Sequence, residues 1–272
     1  MFWARPLAVL LIILALVFAL LVWLFGNCML NTAWGTVALN IISNFYFPVI
    51  LIGFVAILAY LALSKQKRFF GISQRWPLQI VISTHPDPTT ATRSVLTKAE
   101  YDTADELRSA LTQHFPGFLA SWAEIFGVNV QVPAILIKGS PLKQVEEWPY
   151  PGSLILIGGP TRNKLTEFYL NKGKPWVSFD DTRKKFIVYR NREQESSEEC
   201  ADSGKLATLE RLMIDGKVVI IAFGYGEDGT RAAAQYLASE WVTLVHKYPD
   251  KPFAHLLSIA DSGQARLLEE FS

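Results

Sequence analysis

The stretch that decides the fold is GKVVIIAFGYGEDGTRAAAQYLASEW, residues 216–241. The apolar run at 218–223 predicts a buried strand, and a helical pattern begins directly after the loop Gly224-x-Gly226-x-x-Gly229. A strand, a glycine-rich loop and a helix in this order are typical of phosphate-binding fingerprints. This loop also carries Glu227 and Asp228, whose carboxylates repel phosphate.

The position of the loop argues against a dinucleotide cofactor. A dinucleotide fingerprint stands in the first strand–helix unit of its domain, with an acid closing the second strand about 20 residues later. Here the loop follows a late strand, and Asp250 precedes its candidate strand. We therefore expect neither NAD nor FAD nor another cofactor. Two interpretations remain: a tight structural turn, or a polar pocket wall in which Glu227 or Asp228 accepts hydrogen bonds from a nucleoside or nucleotide.

Further apolar runs alternate with helical patterns after residue 77. Strong strand patterns lie at 78–83, 134–138 and 153–157, and weaker ones at 176–179, 186–189 and 253–259. Helical patterns lie at 104–115, 118–126, 161–170 and 230–245. This alternation predicts a Rossmann-like α/β domain over residues 77–272, with a mainly parallel sheet and helices on both faces. Residues 179–189 are expected to form an antiparallel hairpin.

A second glycine loop, GGPTRN at residues 158–163, follows the strand predicted at 153–157. In both loops the glycines allow close approach of a ligand, and the following helix offers unpaired N–H groups. A hydroxyl and an arginine follow the glycines in each loop, and an arginine can bind an anion with two hydrogen bonds. The predicted ligand-binding residues are Gly158, Gly159, Thr161, Arg162, Asn163, Gly224, Gly226, Glu227, Asp228, Gly229, Thr230 and Arg231.

Two uncharged apolar runs stand near the beginning of the chain. Residues 7–25 and 45–63 each contain 19 residues, and a helix needs about 20 apolar residues to cross a bilayer. A cleaved signal peptide is the alternative for the first run. That run exceeds the usual apolar region of about 7–15 residues, and no small-x-small cleavage site follows it. We predict a transmembrane hairpin over residues 1–64.

Basic residues predict the orientation of this hairpin. Arg5 precedes the first run, the connection between the runs has no Lys or Arg, and Lys65, Lys67 and Arg68 follow the second run. Positive charge stays on the cytoplasmic side, so both termini are expected in the cytoplasm. Residues 65–76 would be a basic juxtamembrane linker. The chain is thus expected to be a two-span membrane protein with its α/β domain in the cytoplasm.

The composition after residue 75 argues against direct nucleic-acid binding. Five of the 26 basic residues and none of the 25 acidic ones precede residue 76, which leaves 21 basic against 25 acidic residues and a net charge of −4. Such a domain is poorly suited to a phosphate backbone. Cys28 and Cys200 lie on opposite sides of the predicted membrane and cannot pair. The four histidines are scattered, so we expect no metal site.

Two segments keep two interpretations each. Asn40, Ser43 and Asn44 interrupt the apolar residues before the second run. They belong either to an interfacial segment or, if the span begins near Thr36, to a polar seam between subunits. Residues 191–205 are acidic and rich in serine, and they are predicted to form either a solvated surface loop or a mobile lid or regulated segment.

The chain resembles the membrane effectors of bacterial anti-phage systems. The resemblance lies in the two predicted spans, the basic linker after them, and the Rossmann-like domain with the loops 158–163 and 224–231. These include retron-associated two-span effectors and second-messenger-gated effectors. The two loops resemble those of nucleotide-sensing and deoxyribosyltransferase-like Rossmannoid domains. The resemblance implies abortive infection, with an α/β domain that senses a nucleotide-like ligand or a partner complex and controls membrane disruption by the spans. It also implies contact with inner-membrane lipid, and either a homo-oligomer or a partner such as a reverse transcriptase with its noncoding RNA.

A membrane-tethered enzyme is the alternative function. It would hydrolyse a nucleotide or an N-glycosidic bond, with Asp87, Glu227 or Asp228 as acid or base. The sequence has no defined nucleophile–base pair, which favours sensing over catalysis, so no catalytic residue is assigned. A membrane-anchored scaffold is the third interpretation.

Overall fold

The computed structural model describes residues 64–72, 76–83, 85–86, 94–95, 98–113, 135–140, 150–190, 197–200 and 203–272, together with Asn44. Apart from Asn44 and Ser64, these residues belong to one α/β unit formed by residues 65–115 and 131–272. Both predicted spans, Cys28 and Asp87 lie outside the described residues, so the predictions made for them stay predictions. Among the described residues, no helix is long and apolar enough to cross a membrane.

The unit contains short strands and longer helices in alternation. In chain order they are β1 Leu78–Ser83, β2 His85–Pro86, β3 Ser94–Val95, α1 Lys98–Gln113, β4 Ile135–Ser140, β5 Leu154–Ile157, α2 Lys164–Gly173, β6 Val177–Asp180, β7 Lys185–Tyr189, β8 Ser197–Glu199, β9 Leu206–Ile214, β10 Lys217–Gly224, α3 Gly226–Lys247, β11 Phe253–Ile259 and β12 Ala265–Phe271. The bounds of β1 are those predicted, and the predicted hairpin is formed by β6 and β7.

Within the described residues, seven strands form one mixed sheet in the order β4–β1–β5–β10–β9–β11–β12. The first four strands of this order are parallel. The remaining strands continue the sheet by antiparallel pairing, so that five of the seven strands point the same way. The predicted α/β fold with a mostly parallel sheet is confirmed. The antiparallel half is a finding, because neither β9 nor β12 was predicted.

Side chains alternate between the two faces of the sheet, as the period of a strand requires. On one face the sheet packs against α1 and α3, through a core that includes Ile80, Ile155, Ile220, Leu107 and Leu237. On the other face it packs against α2 and the small sheet β6–β7–β8, through a core that includes Val81, Leu156, Ile221, Leu165 and Phe186. Helices therefore cover both faces of the parallel half, as predicted for such strands.

The first part of the predicted juxtamembrane linker belongs to the folded unit. Residues 64–69 are helical. Phe69 and Phe70, which follow the basic residues, are buried in the core on the α3 face. The ring of Phe70 lies 6.1 Å from that of Trp241 on α3. Removal of two phenyl rings from water stabilises this attachment by several kcal/mol, at about 1.5–3 kcal/mol for each side chain.

The acidic segment 191–205 is described only in part. Its residues Ser197–Glu199 form β8, which pairs with β7 in the small sheet. The carboxylate of Glu199 pairs with Arg183 and Lys185, and that of Glu198 with Arg190. At these three residues the segment is a strand, rather than the loop that both interpretations assumed.

One histidine is part of the core. His255 on β11 is buried, and its Nδ1 and Nε2 atoms lie 3.2 and 3.3 Å from the hydroxyl oxygens of Tyr236 and Tyr248. Burial lowers the pKa of His255 to about 4, although the nearby Glu270 carboxylate opposes this shift. The imidazole is therefore neutral at physiological pH.

Candidate functional site

A cavity of about 340 Å³ lies at the ends of β5 and β10. These two strands are parallel neighbours in the sheet. Ligands of open α/β sheets bind beyond such carboxyl ends. The cavity brings together residues of both predicted loops. From the prediction, Gly158, Gly159, Thr161, Arg162, Gly224, Gly226, Glu227, Thr230 and Arg231 line it. Asn163, Asp228 and Gly229 do not belong to its lining.

The glycines at 224 and 229 let the end of β10 pass closely over the first turn of α3. A Cβ atom added to Gly224 would lie 2.4 Å from the carbonyl carbon of Gly229, and one added to Gly229 would lie 2.9 Å from that of Gly224. Both contacts are with backbone, which cannot rotate away. Gly226 has a φ of 68°, a region that favours glycine. The loop is therefore a tight turn and a cavity wall at once, and the two interpretations of its sequence are compatible.

Thr230 has a structural partner on both sides. Its Oγ1 donates a hydrogen bond to the carbonyl of Gly226 at 3.0 Å and accepts one from the N–H of Gly224 at 3.4 Å. The hydroxyl thereby closes the turn between β10 and α3. Tyr225, at the N-cap position, provides no side-chain cap. The beginning of α3 faces the cavity through Gly226 and Glu227.

The first turn of α2 differs from the expectation, because two of its amide groups are already bonded to a side chain. Asn163 is fully buried at the N-cap position. Its Oδ1 accepts from the N–H groups of Leu165 and Thr166 at 3.1 and 3.4 Å, and its Nδ2 donates to the carbonyl of Ile157 at 3.1 Å. Asn163 is thus a helix cap, and the prediction that α2 offers these N–H groups to a ligand is wrong.

The hairpin β6–β7 forms a third wall that the sequence did not predict. Phe179, Asp181 and Lys184 of this hairpin line the cavity. The hydroxyl of Thr161 donates a hydrogen bond to Asp181 at 3.1 Å, which ties the hairpin to the first glycine loop. The ring of Phe179 lies 6.2 Å from that of Tyr225, in an edge-to-face arrangement. The hairpin is thereby held against both loops.

Among the described residues, the cavity has three cationic and three acidic side chains in its lining. Lys184 pairs with Asp181 at 2.5 Å, and Arg231 pairs with Glu227 at 3.5 Å. Hydrogen bonds from Lys184 and then from Thr161 hold the pKa of Asp181 below its ordinary value. Arg162 is exposed and forms no ion pair with any described residue. Its guanidinium is available to an anionic ligand.

A buried acid on α1 provides the third carboxylate. Glu100 is 8 % exposed, lines the cavity and accepts a hydrogen bond from the hydroxyl of Ser83 at 2.7 Å. Ser83 is the last residue of β1, so the pair joins the end of a third parallel strand to the site. Sequence reasoning missed Glu100 because α1 follows no glycine loop. The signal available was a strand ending in Ser83, followed by a helix with an acid in its first turn.

Metal-ligating chemistry is not found in the part of the chain that the structure describes. No group of three or more His, Cys, Asp or Glu residues there could hold a metal ion. Burial raises the pKa of the Cys200 thiol. Comparison of the chain with protein-family models, curated proteins and solved structures finds no match.

Proposed function

We propose that the α/β unit is the sensor of a bacterial membrane effector, and that its cavity binds a nucleotide-like ligand. The observation that supports this most is the meeting of both glycine loops with the β6–β7 hairpin around one cavity of about 340 Å³. This volume lies at the lower end of the range for small-molecule sites, about 300–1,000 Å³. A mononucleotide or a small nucleotide-like signal is of suitable size.

The chemistry of the walls supports the same class of ligand. Arg162 has no acidic partner among the described residues, and Lys184 and Arg231 lie in the same lining. Such groups suit phosphate oxygens. The rings of Phe179 and Tyr225 provide an apolar surface for a base. The Glu227 and Glu100 carboxylates suit the hydroxyl or amino groups of a sugar or base, which phosphate alone does not have.

The effector part of the proposal rests on the amino-acid sequence. The two predicted spans would disrupt the inner membrane when the cytoplasmic unit binds its ligand or a partner complex. Assembly into a homo-oligomer, or with a partner such as a reverse transcriptase and its noncoding RNA, belongs to the same proposal. Direct binding of nucleic acid by the α/β unit is not part of the proposal, because acidic residues outnumber basic ones after residue 75.

Ligand titration of the purified full chain tests the proposal. The panel contains ATP, GTP, NAD and cyclic dinucleotides, with heat of binding as the measurement. We expect Arg162→Ala to weaken the binding of an active compound by about 10- to 100-fold, because a hydrogen bond to a charged group contributes about 1.5–3 kcal/mol. The matched control is Arg266→Ala, which removes an exposed arginine of β12 outside the cavity. Equal affinities of the two variants would contradict the proposal.

Hydrolysis is the second candidate, and Glu100 is the observation that favours it. Its carboxyl group lines the cavity beside the glycine loops and is held by Ser83. In N-glycosidic hydrolysis such a carboxylate can take a proton from the water that attacks the sugar, and the bond between the sugar and the base breaks. A purine leaves after it has taken up a proton from solvent, and nicotinamide leaves as the neutral base without one. Release of free base from ATP or NAD by the full chain, abolished in Glu100→Gln, would support this candidate. Binding of a compound without its conversion would reject it.

A further inference from the structure

Glu210 and Arg211 are neighbouring charged residues in the middle of β9, and both are fully buried. Since successive side chains of a strand point to opposite faces, one reaches each side of the sheet. β9 lies inside the sheet and pairs with β10 and β11. Buried charges cost stability relative to well-packed apolar residues, so their positions call for a physical role.

Glu210 holds the beginning of the hairpin that covers the cavity. Its Oε1 accepts a hydrogen bond from the main-chain N–H of Trp176 at 2.9 Å. Trp176 directly precedes β6, and its carbonyl accepts a hydrogen bond from the N–H of Tyr189 at the end of β7. The beginning of β6 and the end of β7 therefore meet at a point fixed by Glu210. Phe179, three residues further along, lines the cavity.

Arg211 holds the segment that follows the second predicted span. Its Nε donates to the carbonyl of Phe69 at 2.8 Å, its Nη1 to that of Lys251 at 2.6 Å and its Nη2 to that of Arg68 at 3.2 Å. The guanidinium carbon lies 5.3 Å from the centre of the Phe69 ring. Three carbonyls from two chain segments thus converge on one guanidinium group, whose planar geometry fixes their directions.

We propose that Glu210 and Arg211 couple the β6–β7 hairpin to residues 64–72, so that closure of the hairpin over a ligand changes the attachment of the segment leading to the spans. This inference rests on the proposed function, and it describes how ligand binding at the cavity would be transmitted to the segment that leads to the spans. The hairpin is bonded to Glu210 on one face of β9, and residues 68 and 69 are bonded to its neighbour Arg211 on the other face. A displacement of β9 therefore acts on both of them. Such coupling is a shared free energy, and it must be reciprocal.

Hydrogen exchange of the full chain without any ligand tests the coupling. The reporter amides at one end are those of Phe70, Gly71 and Ile72, which donate to the carbonyls of residues 66–68. The reporter at the other end is the amide of Tyr189. We expect Glu210→Ala to accelerate exchange at residues 70–72 by about tenfold, since a coupled segment opens more often when its partner is released. We expect Arg211→Lys, which keeps the charge but loses the fork, to accelerate exchange at Tyr189.

The controls separate coupling from general loss of stability. Glu210→Gln keeps an acceptor oxygen for Trp176 and should leave residues 70–72 unchanged. Thr161→Val removes the hydroxyl that ties the hairpin tip to the first glycine loop, without touching the core. If Glu210→Ala does not fold, this variant takes its place and should also accelerate exchange at residues 70–72. Acceleration confined to the altered end would overturn the coupling, whatever the ligand titration shows. A failed titration with intact coupling would instead reject the nucleotide ligand.

Discussion

Replacement of Asn163 by alanine should destabilise the α/β unit strongly, although Asn163 belongs to a loop predicted to bind a ligand. The side chain is fully buried and makes three hydrogen bonds to main-chain groups. Two of these cap α2, and the third binds the carbonyl of Ile157 at the end of β5. Alanine would leave all three groups without this partner in a place that water does not reach.

The size of the effect follows from these bonds. Loss of a helix N-cap costs about 1 kcal/mol. A buried polar group left without its partner costs about 1–3 kcal/mol, so the carbonyl of Ile157 adds about 2 kcal/mol. The sum is about 3 kcal/mol. For a domain of this size, about 2–4 °C is lost for each kcal/mol, which gives a decrease of about 9 °C in melting temperature.

Thermal unfolding of the purified full chain, followed by circular dichroism, measures this decrease. Arg162→Ala is the matched control, because Arg162 is the neighbouring residue but is exposed at the cavity. Its melting temperature should equal that of the parent, while its ligand binding is weakened. An unchanged melting temperature in Asn163→Ala would refute the capping account. Parallel early melting of both variants would show that the loop is only structural, and the nucleotide-binding proposal should then be dropped.

Three other perturbations test separate parts of the molecule. The pKa of His255 is about 4 in the folded chain and ordinarily 6.5, so the unfolded state binds more protons between these values. The free energy of unfolding should therefore be highest above pH 6.5 and fall by about 3 kcal/mol towards pH 4. Urea unfolding should find this decrease in the parent and not in His255→Gln, and an equal decrease in the two proteins would contradict the lowered pKa of His255. Gly224→Ala should lower the melting temperature more than Gly226→Ala. A Cβ atom at residue 224 would lie 2.4 Å from backbone, whereas one at residue 226 meets nothing within 4 Å and costs only about 1 kcal/mol of backbone strain. The reverse order of melting temperatures would refute the close approach of β10 and α3. If the proposed effector function holds, Leu14→Arg should abolish depolarisation of the host membrane, because an arginine at the centre of a span raises the free energy of membrane insertion by about 2.5–3.5 kcal/mol. Undiminished toxicity of this variant to the host would favour the enzyme instead.

The parallel half of the sheet could be predicted because its strands are apolar throughout. LQIVIS at 78–83 and VVIIAF at 218–223 have no competing helical interpretation, and the glycine loops follow from the ends of such strands. β9 could not be found in this way. Its residues 206–214, LATLERLMI, have a charged pair in the middle that sequence reasoning assigns to a surface, and both charges are buried by tertiary contacts.

The candidate site was predictable only where chain-local chemistry defines it. The two loops carry their glycines, hydroxyls and arginines in sequence, and they meet as expected. Glu100 and the β6–β7 hairpin reach the cavity through the packing of α1 and of the small sheet, which no local pattern encodes. Asn163 shows the opposite error. Its position in a loop predicted ligand binding, whereas burial and three main-chain bonds make it a cap.

The contact of Arg211 with Phe69 has a consequence for the biosynthesis of the chain. The two residues are 142 positions apart, so the carbonyl of Phe69 leaves the ribosome long before its partner has been translated. Likewise, β1 can pair with β5, and β5 with β10, only after the later strand has been translated. β9, β10, β11 and β12 follow one another along the chain, so each can pair soon after its own synthesis. We therefore expect the predicted spans to enter the membrane while residues 64–72 are still unattached. Residues 64–72 would acquire this attachment only when translation has passed Arg211, Trp241 and Lys251.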